Sequence, residues 1–267
     1  MPNPLTDFEQ NFRSADTLLK VYRLLESPDG PHTQHMLMER IRELLMADQE
    51  EELILLINEL FLGVVRENAD VRPAIFKKDN LCMLLRQAVV AACSALDVYF
   101  PAMLREHLPL MIQVKQRNFI PAEKTVKDFL KGFNLGLEEI LRVVNDGNPE
   151  NVLGDMLVEH LKGKTLSNSQ GAAVTLLFLG VDEPWDQIAA RLGQAKDPLI
   201  KQFDGLVARR NDIVHRGDRP ARNPNGPAQD IQYSWTYSHI QVARSIVQAA
   251  HELAEEQIRM LGQVVAQ

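Results

Sequence analysis

Between Leu81 and Phe100 the chain is apolar on almost every side of a helical wheel. A helix of that kind is stable only when other elements wrap most of its surface, so the chain is expected to fold around it. Its sparse polar positions are informative. Arg86 and Asp97 lie eleven residues apart, which at about 100° per residue puts them on one face, with Val90 and Cys93 between them. That strip is either solvated, with a distant ion pair, or turned toward a cleft. Pro101 is compatible with continuation of the helix, whereas Pro109 is expected to mark its far limit.

Other stretches repeat apolar residues at three- and four-residue steps. A first helix is expected over 5–26 through Phe8, Phe12, Leu19 and Tyr22, closed by Ser27-Pro28-Asp29-Gly30-Pro31. A second is expected over 33–68 through Ile41, Leu53, Leu56, Ile57 and Val64, punctuated by the acidic run Asp48 to Glu52. Shorter helices follow: from Pro121 and Glu123 through Phe129, over Leu135 to Val144, and from the cap-plus-proline start Asn148-Pro149 through Leu161. Two more cover Ser167 to Gly180 and Asp182 to Gly193, and a long one runs from Tyr237 to Val265. Nothing alternates cleanly as strands do, and no repeat of about 20–50 residues is present. The expected class is all-α, with an N-terminal helical extension over 1–75 and a helical bundle over 76–267.

No apolar run reads as a bilayer span, and the first ten residues lack the basic start and apolar core of a secretory signal. Cys82 and Cys93 lie eleven residues apart in one helix, about 16 Å along its axis, too far to bridge. A cytoplasmic protein without a membrane partner is expected. The net charge of −7 argues against a general nucleic-acid coat protein. The charge is unevenly spread, however: Arg209, Arg210, Arg216, Arg219 and Arg222 crowd into fourteen residues, against only Asp212 and Asp218. Such a patch suits a compact phosphate-bearing site; it also suits a helix end that complements its own macrodipole.

The patch grows out of a helix read from Asp197, a capping carboxylate ahead of Pro198, to Gly217, with Pro220 just beyond. Leu199, Phe203, Leu206, Val207, Ile213 and Val214 form its apolar stripe. Arg210 falls within roughly 20° of Leu199, in the middle of that stripe. A guanidinium there costs on the order of several kcal/mol unless it is paired. Asn211 and His215, four residues apart, share one edge. A loop with three prolines then runs from Gly217 to Gln229, a length more often functional than filler.

No glycine-rich phosphate loop, zinc-spaced Cys/His set, His-Glu-x-x-His or Gly-x-Ser-x-Gly elbow is present. No cofactor and no metal are expected; His32 and His35 lack a third ligand of suitable spacing. His107, His160, His239 and His251 fall at expected helix surfaces or ends and read as structural. A second basic region, Lys115, Arg117, Lys124, Lys127 and Lys131, reads as a solvated face, with RNA contact as the alternative.

Arg210-Asn211-Asp212-Ile213-Val214-His215 resembles the Arg-x4-His signature of HEPN domains, including the polar residue those domains commonly carry after the arginine. Ala91-Ala92-Cys93-Ser94-Ala95-Leu96-Asp97-Val98-Tyr99 is similar to the first long core helix of the RiboL-PSP type. The resemblance covers roughly residues 80 to 260. It implies a HEPN-type helical bundle that pairs across a two-fold axis, with the signature helices of two subunits lining a shared cleft. For active members it also implies metal-independent RNA cleavage. The family's catalytic arginine, polar residue and histidine then correspond to Arg210, Asn211 and His215. Arg209, Arg216, Arg219 and Arg222 become candidates for RNA contact, and Arg86, Asp97 and Asp212 for a supporting layer. HEPN toxins silenced by a nucleotidyltransferase carry a tyrosine two positions after the histidine; Gly217 stands there, which argues against that regulation.

The chemistry agrees with the resemblance. Metal-free RNA cleavage needs one group to take the 2′-hydroxyl proton, another to protonate the departing 5′-oxygen, and positive charge on the phosphorane-like transition state. An imidazole suits either proton task, and a guanidinium offers a planar fork to phosphate oxygens. One histidine per subunit does not easily serve both, which favours a homodimer. The expected protein is a dimeric endoribonuclease that leaves a 2′,3′-cyclic phosphate, acting as a toxin or anti-phage effector. Its expected partners are RNA, a second copy and an antitoxin or inhibitor protein. The alternative is a non-catalytic HEPN module that uses the same surface for assembly, with Arg210 paired to Asp97 or Asp212.

Overall fold

The computed structural model describes residues 3–26, 41–46, 53–57, 62–66 and 78–265. Helix α1 (Pro4–Leu25) opens on Asn3, whose side chain accepts from the Leu5 amide at 2.8 Å. Its periodic residues Phe8, Phe12, Ala15, Leu19 and Tyr22 are buried against the core helix α2 (Lys78–Lys115). Both Pro101 and Pro109 lie inside α2, so Pro109 does not end it. A proline removes one backbone hydrogen bond and crowds the preceding turn. The Pro109 ring faces Gly154 of a later helix, where an added Cβ would come into contact with it at 3.4 Å.

The helix expected over 33–68 is found, among the described residues, only over 41–45. Strands β1 (Leu53–Ile57) and β2 (Leu62–Arg66) replace its second half, paired antiparallel with Leu53 opposite Arg66 and Ile57 opposite Leu62. Short runs of Leu, Ile and Val fit a pleat as well as a helix, and spacing alone does not separate the two. The rest is helical: α3 (Lys124–Phe129), α4 (Leu137–Asn145), α5 (Pro149–Lys162), α6 (Ser169–Phe178), α7 (Pro184–Leu192), α8 (Lys196–Arg216) and α9 (Tyr233–Val265). Asp197 sits in the first turn of α8, where the macrodipole favours it, and Ala195 rather than Asp197 is the cap. Helix α9 begins one turn earlier than its spacing suggests.

One hydrophobic core joins α1, α2, α6, α8 and α9, through residues such as Phe12, Leu96, Phe178, Phe203 and Ile246. Contrary to the reading of the sequence, Asn80–Lys115 is long and apolar enough by composition to cross a bilayer. Half of its most apolar window is enclosed by the bundle, as befits a helix wrapped by its neighbours. His107 and His251, read as surface residues, are buried, with His251 Nδ1 3.4 Å from Met103 Sδ. The break Ser27 to Pro31, the acidic run Asp48 to Glu52, and His32 and His35 lie outside the described residues.

Candidate functional site

The site is built at the end of α8. Gly217 and Asp218 both adopt left-handed backbone, with φ of 58° and 64°, and both of their amides donate to the Asp212 carbonyl. This closes the helix and turns the Asp218 carboxylate into the bundle, where it is fully buried. Arg86 Nε donates to its Oδ2 at 2.7 Å, and Arg209 Nη2 to the same oxygen at 2.9 Å. Arg209 Nε lies 2.7 Å from Oδ1 without hydrogen-bond alignment. The same two guanidiniums hold the far end of the loop: Arg86 donates to the Gln229 carbonyl at 2.9 Å and Arg209 to that of Asp230 at 2.9 Å. The Gln229 amide returns to the Asp218 carbonyl at 2.8 Å.

These contacts correct two expectations. Arg209 faces inward and also lies over the Trp235 ring, 5.7 Å from its centroid, instead of facing RNA. Arg86 supports the loop after α8 and not Arg210. The physical reason is shared: a buried carboxylate recruits whatever cations its neighbours offer.

Arg210 has a different partner. Its Nη2 donates to Asp97 Oδ2 at 2.7 Å, so the polar strip of α2 does meet the signature helix, with Asp97 at Arg210 and Arg86 one step along at Asp218. Beneath it is Cys93, a buried thiol pushed up to about 12, chiefly by burial, with Arg210 acting in the opposite direction. Asn211 and His215 are exposed, and among the described residues neither side chain has a hydrogen-bond partner. At four-residue spacing their Cβ atoms lie about 5–6 Å apart. Asp212 is engaged by Arg216 and by Gln229 Nε2, the latter at 3.2 Å. Arg219 donates to the Gly226 carbonyl at 3.0 Å. Arg222 is exposed and, among the described residues, unpaired.

Arg210 and Asn211 line a cleft of ≈ 280 Å³, whose other walls are Asp97 and Pro101 of α2 and the Lys162–Ser167 turn between α5 and α6. Sequence reasoning missed this second wall. The Lys162-Gly163-Lys164 doublet was its only sequence signal, and spacing does not tell which turn of a bundle faces which helix end. Among the described residues no three His, Cys, Asp or Glu side chains converge as a metal site would require. Compared with known proteins, the chain matches the RiboL-PSP-HEPN family over residues 45–256, while no curated protein and no solved structure matches it.

Proposed function

The chain belongs to the RiboL-PSP-HEPN family, and from that premise we propose that it is an endoribonuclease working as a homodimer without a metal. The 2′-oxygen of one nucleotide bonds to the adjoining phosphorus as the bond from phosphorus to the 5′-oxygen breaks. One His215 takes the 2′-hydroxyl proton and a second gives a proton to the departing 5′-oxygen, leaving a 2′,3′-cyclic phosphate and a 5′-hydroxyl. Arg210 holds the phosphate oxygens as charge builds on them, and Asn211 orients the sugar or phosphate.

The observation that carries this reading is Arg210 itself. It is anchored by one ion pair on the wall of a cleft, with further N–H donors on its fork, and it is followed within two turns by an exposed Asn211 and His215. Two chains supply the two imidazoles, and exposed Val214 on the same helix gives a pairing surface apolar area to bury. Arg222 and the exposed flank of Arg216 extend positive charge beyond the cleft. We place the HEPN-type bundle at 76–267 and treat 1–75 as its extension, although the family match reaches back to residue 45. Action as a toxin or anti-phage effector, restrained by an inhibitor protein, follows from the same reading.

The test is cleavage of single-stranded RNA by the purified full chain in EDTA, beside His215→Ala. Wild type is expected to yield 2′,3′-cyclic phosphate ends by mass spectrometry, with the variant slowed by about 10²–10⁴-fold at an unchanged oligomeric state. Cleavage that requires Mg²⁺ and survives His215→Ala would overturn the proposal. A dimer lost in Arg210→Ala, with no RNA cleaved by either protein, favours the non-catalytic assembly module.

A further inference from the structure

The wall opposite Arg210 carries chemistry that the reaction above does not use. Lys164 is exposed on the Lys162–Ser167 turn and, among the described residues, has no carboxylate partner. Lys162, two residues earlier, is held by Glu159 at 2.7 Å. Ser167, at the end of the same turn, is fully buried and presents no surface to a ligand. Asp97 is engaged by Arg210, so no carboxylate lining the cleft is left to pair with Lys164.

The cleft, ≈ 280 Å³, has room for one phosphodiester group beside Arg210. On this basis, and resting on the ribonuclease reading, we infer that Lys164 forms a second phosphate subsite. It would hold a phosphodiester adjoining the one at Arg210 and so set the path of a single RNA strand across the cleft that the two residues line together.

The experiment measures binding of a fluorescein-labelled single-stranded oligoribonucleotide to the full chain in the His215→Ala background, by anisotropy over a range of KCl. Lys164→Ala is expected to weaken binding several-fold at low salt and to lower the slope of log K against log salt by about 0.7, the value for one phosphate contact on a single strand. Lys164→Arg should restore both. Lys20→Ala, an exposed cation on α1 outside the cleft, controls for general loss of charge.

An unchanged slope in Lys164→Ala, or an equal loss in Lys20→Ala, overturns the subsite. Arg210→Ala separates the levels: if it abolishes binding while Lys164→Ala does not, only the subsite falls. If neither changes binding, the cleft is not where RNA sits and the ribonuclease reading falls with it.

Discussion

Arg210 donates through Nη2 to Asp97 Oδ2 at 2.7 Å, joining the end of α8 to the core helix across 113 positions of sequence. The arginine side chain is 20% exposed and the carboxylate 47%, so the pair sits at the rim of the bundle, in reach of water. It therefore contributes little to stability and much to direction: one N–H is fixed and the fork is aimed.

Asp97→Ala should accordingly leave the protein folded, at a cost of about 0–1 kcal/mol typical of a solvent-exposed pair. RNA cleavage should fall by about 10–100-fold, because a guanidinium that swings freely no longer meets the phosphate in one geometry. Thermal melting beside single-turnover cleavage separates the two effects. A large loss of stability at an unchanged rate would make Asp97 a purely structural partner.

Asp218→Ala should behave in the opposite way. It strands Arg86 and Arg209 in the bundle without their carboxylate, which typically costs about 3–5 kcal/mol. Amide hydrogen exchange should rise first between residues 217 and 232, the segment those arginines hold. Arg222→Ala, on the surface of the same loop, should stay within about 0.5 kcal/mol of the parent. Urea denaturation of the two variants makes the comparison.

Gly171→Ala tests how the cleft wall is held. A Cβ there would lie 2.3 Å from Leu166 Cα and 2.4 Å from the Thr165 carbonyl oxygen, both backbone atoms that cannot rotate away. Overpacking of this kind costs about 1–3 kcal/mol, and relief requires the Lys162–Ser167 turn to move. RNA affinity should drop along with stability, although residue 171 lines no part of the cleft. Retained affinity in a destabilised variant would show that the turn is not part of the binding surface.

Acid should weaken the fold from near pH 6.5 downward. Burial lowers the affinity of His107 and His251 for protons, against the opposing pull of Glu106 and Glu255. The unfolded chain thus binds protons at a higher pH than the native one. Stability is complete above the ordinary histidine value and is lost as pH falls toward the lower native values, where the loss levels off. Denaturation midpoints at pH 7.5 and 5.5 measure it, and His251→Phe should flatten the dependence.

Much of the architecture was legible because neighbours three and four residues apart decide it. The stripes of α1, α8 and α9, the start of α5 at Asn148-Pro149 and the Gly217 stop are all local features. The site was half legible in the same way: an arginine in the middle of an apolar stripe had to find a partner, and Asp97 was one of two candidates. The paired strands over 53–57 and 62–66 were not legible, since Leu, Ile and Val serve a strand as readily as a helix. Nor was the passage of α2 through Pro109, since the packing around a helix can outweigh the local preference for ending it at a proline.

Residue spacing alone specified a buried helix, an amphipathic one ending in Arg210, Asn211 and His215, and the need of one charge for another. Packing selected which charges met. It gave Asp97 to Arg210, turned Arg86 and Arg209 inward to Asp218, and brought the Lys162–Ser167 turn across from the signature. Periodicity is a property of one helix, whereas pairing over more than a hundred residues depends on how helices are rotated and docked, and that is settled only when the whole core closes.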